Sequence, residues 1–475
     1  MSVSRRVTLG SLLGALGVVA LALPGEALAH GIVGRADLPI PVWLFSWAAA
    51  IVLVVSFVAL STLWRTPQLQ EPHTRRLLQL PAPLEWLASL AGMGLFALVV
   101  YSGFAGAQVP PANFSVTFIY VVFWVGLPVL SVLFGDVFRA FSPWRTCARA
   151  GWAIARAVAP LTPPLRYPRR LGMWPAVAGI VGFAWLELVY IYPDKDRPST
   201  LAALSLAYFV AMLIGMGLFG VEEWGERADG FGAYFNLLSR LSGVFRDEDG
   251  AISLRRPLSG ITALEIGPGT VALICTIIGT TTFDGFSNGG VWRNLEPELQ
   301  SVFADLGFNA TPAIELTYSL GLLFCLGLIA GTYRLGIVGV RSVSRRYDSR
   351  QLRNLFAHSL VPIGFAYVLA HYFSLLLWQS QAMLYLASDP LGNGANLFGT
   401  ANDQIDYHVI SYAAIWYVQV AALLGGHLSG LALAHDRALV LYSDVEEAVR
   451  SQYWMLAVMV AFTSFGLWLL SSVGT

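Results

Sequence analysis

Histidine and aspartate residues in this sequence could bind a metal ion or move a proton. His371 lies in an otherwise apolar stretch, Asp284 follows the hydroxyl run Thr280-Thr-Thr282, and His408 ends an aspartate-rich segment. Imidazole nitrogens and carboxylate oxygens bind zinc or copper, and a carboxylate can also act as a general base. A water molecule on such an ion loses its proton near neutral pH and can attack an ester.

A fourth candidate, His30, depends on how the N-terminus is processed. Residues 1–29 have the features of a secretory signal peptide: Arg5-Arg6, an apolar run to Leu23 and a final Ala27-Leu-Ala29. Cleavage after Ala29 makes His30 the first residue, and its α-amino group and imidazole then form one chelate for copper or zinc. The alternatives are an uncleaved first helix and a solvated, idle His30.

The composition restricts the class of protein that must position these residues. Of 475 residues, 56% are hydrophobic and 12% are charged, with a mean hydropathy of +0.63. Soluble proteins carry about 25% charged residues, so we exclude a water-soluble enzyme and predict an all-α, polytopic bundle in a lipid bilayer. A net charge of +0 gives no field to recruit nucleic acid. Three cysteines are too few for a disulfide framework.

Ten apolar stretches follow the signal peptide, each near the length of about 20 residues that crosses a bilayer. They lie near 42–63, 86–104, 116–134, 174–192, 200–220, 263–283, 313–333, 356–378, 410–432 and 452–471. Residues 30–475 are therefore predicted to form one ten-span domain.

Arginine is distributed unequally between the two sets of connecting loops. The loops predicted to lie inside hold most arginines, whereas the outside segments hold only Arg35, Lys195, Arg197 and Arg293 as basic residues. The positive-inside rule then places the mature N-terminus and the C-terminus outside a cytoplasmic membrane. With this topology His30, Asp284, His371 and His408 all fall on the outer side. We therefore predict that they bind a zinc or copper ion there, with Asp284 as ligand or base.

The inner side carries a second group of polar residues. His427 and His435 differ in depth by two helical turns, so they could hold two metals, relay protons or bracket a haem. Gly425-Gly-His-Leu-Ser-Gly430 also fits small residues at a tight helix contact. The inside stretches 136–172 and 221–262 are predicted to be interfacial helices.

Four segments give the chain a family resemblance. They are His30-Gly-Ile-Val-Gly-Arg-Ala-Asp-Leu-Pro-Ile-Pro41, Gly135-Asp-Val-Phe-Arg-Ala-Phe-Ser-Pro-Trp-Arg145, Thr282-Phe-Asp-Gly-Phe286 and Leu433-Ala-His-Asp-Arg-Ala-Leu439. In these segments, and over nearly its whole length, the chain resembles bacterial integral membrane proteins labelled fenitrothion hydrolase. The resemblance implies hydrolysis of phosphotriesters or thiophosphotriesters at the membrane, with a second membrane subunit as a possible partner.

Three functional hypotheses follow from these residues. The first is a metal-dependent hydrolase whose apolar organophosphorus substrate enters from the lipid. The second is a metal or small-molecule transporter without hydrolytic activity, in which histidines at two depths mark a pathway. The third is a haem protein that uses histidines from two spans.

Overall fold

The fold is a helical bundle, taken from a computed structural model that describes residues 42–70, 73–158, 164–191, 196–343, 345–442 and 444–472. The first part contains α1 (Val42–Leu63), β1 (Arg75–Gln79), α2 (Ala82–Ala105), α3 (Phe114–Phe134), α4 (Val137–Phe141), α5 (Pro143–Val158), α6 (Trp174–Leu188), α7 (Pro198–Phe219), α8 (Val221–Arg227) and α9 (Gly230–Ser239). The rest contains β2 (Val244–Arg246), β3 (Ala251–Leu254), α10 (Ser259–Thr262), α11 (Thr270–Ser287), α12 (Gly290–Asp305), α13 (Ala310–Val343), α14 (Ser349–Phe356), α15 (Val361–Gln379), α16 (Ala382–Ser388), α17 (Tyr412–Leu441), α18 (Val445–Ser451) and α19 (Tyr453–Ser472). The signal peptide and His30 lie outside the described residues.

Eight helical stretches among the described residues are long and apolar enough to cross a membrane. They are Ala82–Ala105, Phe114–Phe134, Pro198–Phe219, Thr270–Ser287, Ala310–Val343, Ser349–Gln379, Tyr412–Leu441 and Val445–Leu469. The shorter apolar helices Trp47–Leu63 and Trp174–Leu188 coincide with the other two predicted spans. A helix satisfies every backbone hydrogen bond within itself, which hydrocarbon surroundings require. The expected all-α membrane bundle is confirmed at this level.

The bundle has two ends, and at each of them a backbone hydrogen bond joins segments that are distant in the sequence. At one end the backbone N–H of Leu165 donates to Leu218 at 2.8 Å, and at the other Ala107 donates to Leu391 at 2.8 Å. The first end holds most arginines and an antiparallel sheet in the order β1-β3-β2. We call it the arginine-rich end, and the other the opposite end. Loops of one predicted side thus meet each other, as the alternating topology requires.

A short hairpin, α4 and α5, turns back into the bundle from the arginine-rich end. Gly135, with φ of 85°, reverses the chain after α3. The hairpin tip reaches the middle of α7, because the Trp144 ring lies 5.3 Å from that of Tyr208. Tyr208 is eleven residues, about 16 Å, from the end of α7. From there α5 returns along α7, and the Trp152 indole N–H donates to the Met216 carbonyl at 3.2 Å.

A second hairpin, α8 and α9, enters beside the first. Gly220, with φ of 92°, reverses the chain after α7. Its tip residue Asp229 is 2% exposed and accepts hydrogen bonds from the Trp144 indole and the Tyr208 hydroxyl, both at 2.7 Å. The tips of the α4–α5 and α8–α9 hairpins therefore meet at the depth of Tyr208.

The α8–α9 hairpin corrects the expectation of interfacial helices in 221–262, whereas in 136–172 Trp144 is buried but Ile154 and Val158 of α5 are exposed. Phe231, Tyr234 and Phe235 of α9 are buried rather than spread on a membrane surface. The Phe231 ring lies 4.8 Å from Phe123 of α3 and 5.3 Å from Phe183 of α6. Apolar side chains of α9 pack inside the bundle because α3, α4, α6 and α15 contact that segment. Its composition alone does not reveal these neighbours.

Candidate active site

Asp284 and His371 form a hydrogen-bonded pair between two apolar helices. Asp284 lies near the end of α11 and His371 in the second half of α15, and their side chains are 15% and 18% exposed. The His371 Nε2 atom is 2.9 Å from Asp284 Oδ2. An ionised carboxylate can only accept a hydrogen bond, so Nε2 carries the hydrogen in this arrangement. The pair combines a proton-labile ring with a carboxylate that orients it.

Tyr372 is a third member of this site that the sequence reasoning missed. Its hydroxyl donates to the same oxygen, Asp284 Oδ2, at 2.6 Å, and its side chain is buried. The Asn288 amide also donates to Asp284 Oδ1, at 3.4 Å. Tyrosines in apolar spans usually belong to interfacial belts, so only its position next to His371 could have suggested a role. The two donors to Oδ2 hold the carboxylate in one orientation.

The second ring nitrogen of His371 faces Gly285. A Cβ atom added at Gly285 would lie 3.6 Å from His371 Nδ1. Because Nε2 donates to Asp284, Nδ1 keeps its lone pair and can accept a proton or bind a ligand. The absence of a side chain at position 285 leaves space beside that nitrogen.

An aromatic layer lies directly beneath the site. It consists of Phe123, Trp124, Phe183, Phe231 and Phe235, with Trp124 4.6 Å from Phe183 and Phe123 5.5 Å from Phe235. Trp124 is a neighbour of the Tyr372 phenol and belongs to a π-helical segment, Phe118–Gly126. Segments of this kind are frequent at functional sites. Glu187 of α6 adds a second carboxylate near Tyr372.

The threonines that precede Asp284 direct their hydroxyls to the backbone of their own helix and do not line a wet pocket. Thr280, Thr281 and Thr282 are buried, and each hydroxyl donates to a carbonyl one turn earlier in α11. This bond satisfies a hydroxyl inside an apolar helix contact. The polar surface of the site therefore begins at Asp284.

The other two predicted ligands, His408 and His30, do not join this pair among the described residues. The His408 side chain is 69% exposed in the loop before α17, and its Nδ1 atom is 3.7 Å from Asp406 Oδ1. In the described part of the chain, histidine, cysteine, aspartate and glutamate form no group of three or more that could hold a metal. His30 lies outside the described residues. The structure thus brings together two of the four, His371 and Asp284.

His435 and Asp436 tie the arginine-rich end together. Asp436 is fully buried and accepts hydrogen bonds from the Trp64 indole at 3.0 Å, the Gln68 backbone at 2.6 Å and the Gln70 amide at 2.7 Å. His435 Nε2 lies 2.9 Å from the Trp64 carbonyl. This segment of α17, one of the four that carry the family resemblance, therefore anchors the chain that follows α1.

The small residues around His427 make a close helix contact. A Cβ at Gly426 would overlap Ala366 and lie 2.7 Å from the Pro362 carbonyl, and one at Gly430 would lie 2.7 Å from the Ser359 carbonyl. The packing interpretation is confirmed for Gly426 and Gly430, while a Cβ at Gly425 would meet nothing within 4 Å. His427 Nδ1 lies 2.8 Å from the Leu423 carbonyl of its own helix.

Comparison with known proteins does not assign this chain to a family. No family model matches the chain, and neither does any curated protein. The resemblance to the fenitrothion hydrolase family stays a prediction from the quoted segments.

Proposed function

We propose that this protein is a membrane-embedded hydrolase of apolar organophosphorus triesters, with His371 as its general base. The observation that carries the proposal is the Asp284–His371–Tyr372 arrangement, in which the carboxylate orients the ring and leaves Nδ1 available. A base held by an orienting third group is the usual geometry for activating a nucleophile. The apolar exterior of the bundle suits a substrate that dissolves in lipid.

The residues divide the reaction between them. A water molecule attacks phosphorus while His371 Nδ1 takes its proton, the bond from phosphorus to the aryl oxygen breaks, and a nitrophenolate leaves. Asp284 stabilises the imidazolium formed in this step because its negative charge lies 2.9 Å from Nε2. Tyr372 holds that carboxylate in place.

Nitrophenol release from a dimethyl nitrophenyl thiophosphate, assayed with membranes, tests the proposal. We expect His371→Ala and Asp284→Asn each to lower the rate roughly 100-fold or more, the usual contribution of general base catalysis. Tyr372→Phe removes one hydrogen bond to a charged group and should lower the rate roughly 10-fold. His73→Ala and Asp305→Asn change the same residue types at exposed positions and should have no effect. Unchanged rates in both His371→Ala and Asp284→Asn would refute the proposal.

The zinc or copper ion predicted from the sequence needs more ligands than the described residues supply. A catalytic zinc usually has three protein ligands, and His371 and Asp284 are two. The mechanism above therefore runs through the protein side chains alone. If His30 completes a metal site, dialysis against a chelator and His30→Ala should both abolish activity, and added zinc or copper should restore only the dialysed wild type.

A transporter is the second candidate, and one structural observation favours it. Charged residues enter the bundle from the arginine-rich end as far as Asp229, while Asp284 lies on the far side of the aromatic layer. Transporters hold their substrate near the middle of the membrane and open that site alternately to the two sides, which polar residues at both faces of the aromatic layer would allow. Metal uptake into proteoliposomes without ester turnover would favour this function over hydrolysis.

We also infer a ten-span topology in a cytoplasmic membrane, with the arginine-rich end in the cytoplasm. The eight long helices and the two shorter ones supply the spans, and the unequal distribution of arginine supplies the orientation. A second membrane subunit stays a prediction of the family resemblance.

A further inference from the structure

The α4–α5 and α8–α9 hairpins are joined by an ion-pair network centred on Glu222. Arg139 Nη2 lies 2.9 Å and Arg149 Nη2 2.8 Å from the Glu222 carboxylate, and Arg145 also pairs with it. Arg139 makes a further pair with Glu226 at 2.9 Å. All three arginines belong to the first hairpin and both glutamates to the second. We call these five side chains the Glu222 lock.

A small cavity lies between the two hairpins, next to the lock. Its lining comes from the hairpins apart from Met216 of α7, and includes Asp136, Ser142, Arg145 and Asn236. It has room for about 20 Å³, enough for one water molecule. The lining carries both positive and negative side chains, so the cavity suits water rather than an ion of one sign.

Arg145 shows that this polar space is incompletely satisfied. Its side chain is 6% exposed, and its Nε atom is buried with no hydrogen-bond partner among the described residues. A buried donor without a partner costs about 1–3 kcal/mol. A water molecule in the cavity can accept this hydrogen bond, which points to hydration of the space between the hairpins.

The aromatic layer closes the inner end of the cavity. Phe138 lines the cavity, and its ring lies 5.6 Å from Phe123 and 5.2 Å from Phe235 of the layer. On the other face of the layer, Trp124 is a neighbour of Tyr372. The charged residues that line the cavity are thus separated from the Asp284 site by the aromatic layer.

We propose that the paired hairpins are a gate, in which the Glu222 lock closes a hydrated vestibule that leads from the arginine-rich end to the aromatic layer. The hairpins are short, and they are tied to each other by the lock on one side and by Asp229 at their tips on the other. When the lock opens, the hairpins separate and water and small polar solutes reach the aromatic layer from that end. This inference concerns the other half of the bundle and does not depend on hydrolysis.

Cysteine labelling tests the gate. In a background with Cys147→Ser, Cys275→Ala and Cys325→Ala, Ser142→Cys places a near-isosteric thiol in the cavity lining. The probe is membrane-impermeant sulfonatoethyl methanethiosulfonate, applied to sealed vesicles of each orientation. We expect slow labelling when the lock is intact. In Glu222→Gln the labelling rate should rise roughly 10-fold, because the variant loses a partly buried ion pair. The matched control is Glu223→Gln, because Glu223 pairs with Arg227 of its own helix at 3.2 Å.

Two further cysteines define the side from which the probe enters. Asp249→Cys marks the arginine-rich end and Asn393→Cys the opposite end, since both positions are exposed. The Ser142→Cys thiol should react only in vesicles that also label Asp249→Cys. Equal rates with Glu222→Gln and Glu223→Gln, or entry from the side of Asn393→Cys, would overturn the gate. If Glu222→Gln does not fold, faster amide exchange of residues 136–145 in Glu222→Asp than in Glu223→Asp supports it, and equal exchange refutes it.

Discussion

At the scale of single residues, one carboxylate oxygen determines what His371 can do. Oδ2 of Asp284 is contacted by both the imidazole and the Tyr372 hydroxyl, so the carboxylate cannot rotate without losing two hydrogen bonds. Asp284 and His371 could be selected from the sequence because a titratable side chain in an apolar span needs a partner or a task. Tyr372 could not, since a tyrosine has an ordinary reason to occur in a membrane helix.

Gly285→Ala tests whether Nδ1 of His371 is the working nitrogen. The new methyl group would lie 3.6 Å from Nδ1, an ordinary contact distance that leaves the helix packing intact but fills the space a water molecule needs. We expect a loss of nitrophenol release of roughly 10-fold or more with an unchanged melting temperature. Gly182→Ala, at a position with open space in α6, is the matched control. Full activity of Gly285→Ala would assign the chemistry to another atom.

At the scale of elements, the bundle depends on close contacts that the sequence shows only in part. Gly426 and Gly430 mark the α15–α17 contact, and their spacing was recognisable as a packing motif. The two hairpins were not recognisable. A short apolar helix with phenylalanines such as Phe231 and Phe235 can lie on a membrane surface or inside a bundle, and its composition does not distinguish the two. In this structure both phenylalanines are buried.

Gly426→Ala and Gly425→Ala should differ sharply in stability. The first adds a Cβ that overlaps Ala366, whereas the second adds one with nothing within 4 Å. Overpacking costs about 1–3 kcal/mol, so we expect a lower melting temperature in detergent for Gly426→Ala alone. A wild-type melting temperature in both variants would contradict the close approach of α15 and α17.

The Glu222 lock should weaken only in acid. Burial raises the pKa of Glu222, but Arg145, Arg149 and Arg139 outweigh it and hold that pKa below its ordinary value of 4.5. A carboxyl group with a lowered pKa stabilises the folded state above its unfolded pKa and loses that contribution as pH falls through its folded pKa. The melting-temperature difference between wild type and Glu222→Gln should therefore be constant from pH 8 to about 5 and shrink below. A difference that already shrinks near pH 7 would contradict this charge balance.

At the scale of the whole molecule, composition and arginine placement determine most of what can be predicted. They indicate the helical bundle, the positions of the long helices and the grouping of loops at two ends, because all three follow from the hydrophobic thickness of a membrane. Contacts such as those between His371 and Asp284 or between Trp64 and Asp436 join distant parts of the chain. Their partners depend on how helices pack, so no local pattern contains them.

The orientation of the bundle can be measured with the two reference cysteines. In inside-out vesicles, an impermeant thiol reagent should label Asp249→Cys and spare Asn393→Cys, since the positive-inside rule places the arginine-rich end in the cytoplasm. Right-side-out vesicles should give the reverse. Labelling of both cysteines from one side would contradict the alternating spans, and an exchange of the two results would invert the topology.

The bond between the Trp64 indole and Asp436 joins positions 372 residues apart. During synthesis the segment after α1 leaves the ribosome early, but its buried acceptor emerges only when most of the polypeptide has been translated. At a rate of about 5–20 residues per second, that interval lasts on the order of tens of seconds. The newborn chain must therefore hold its first helix in the bilayer by apolar contacts alone, and the arginine-rich end stays incomplete until α17 has been made.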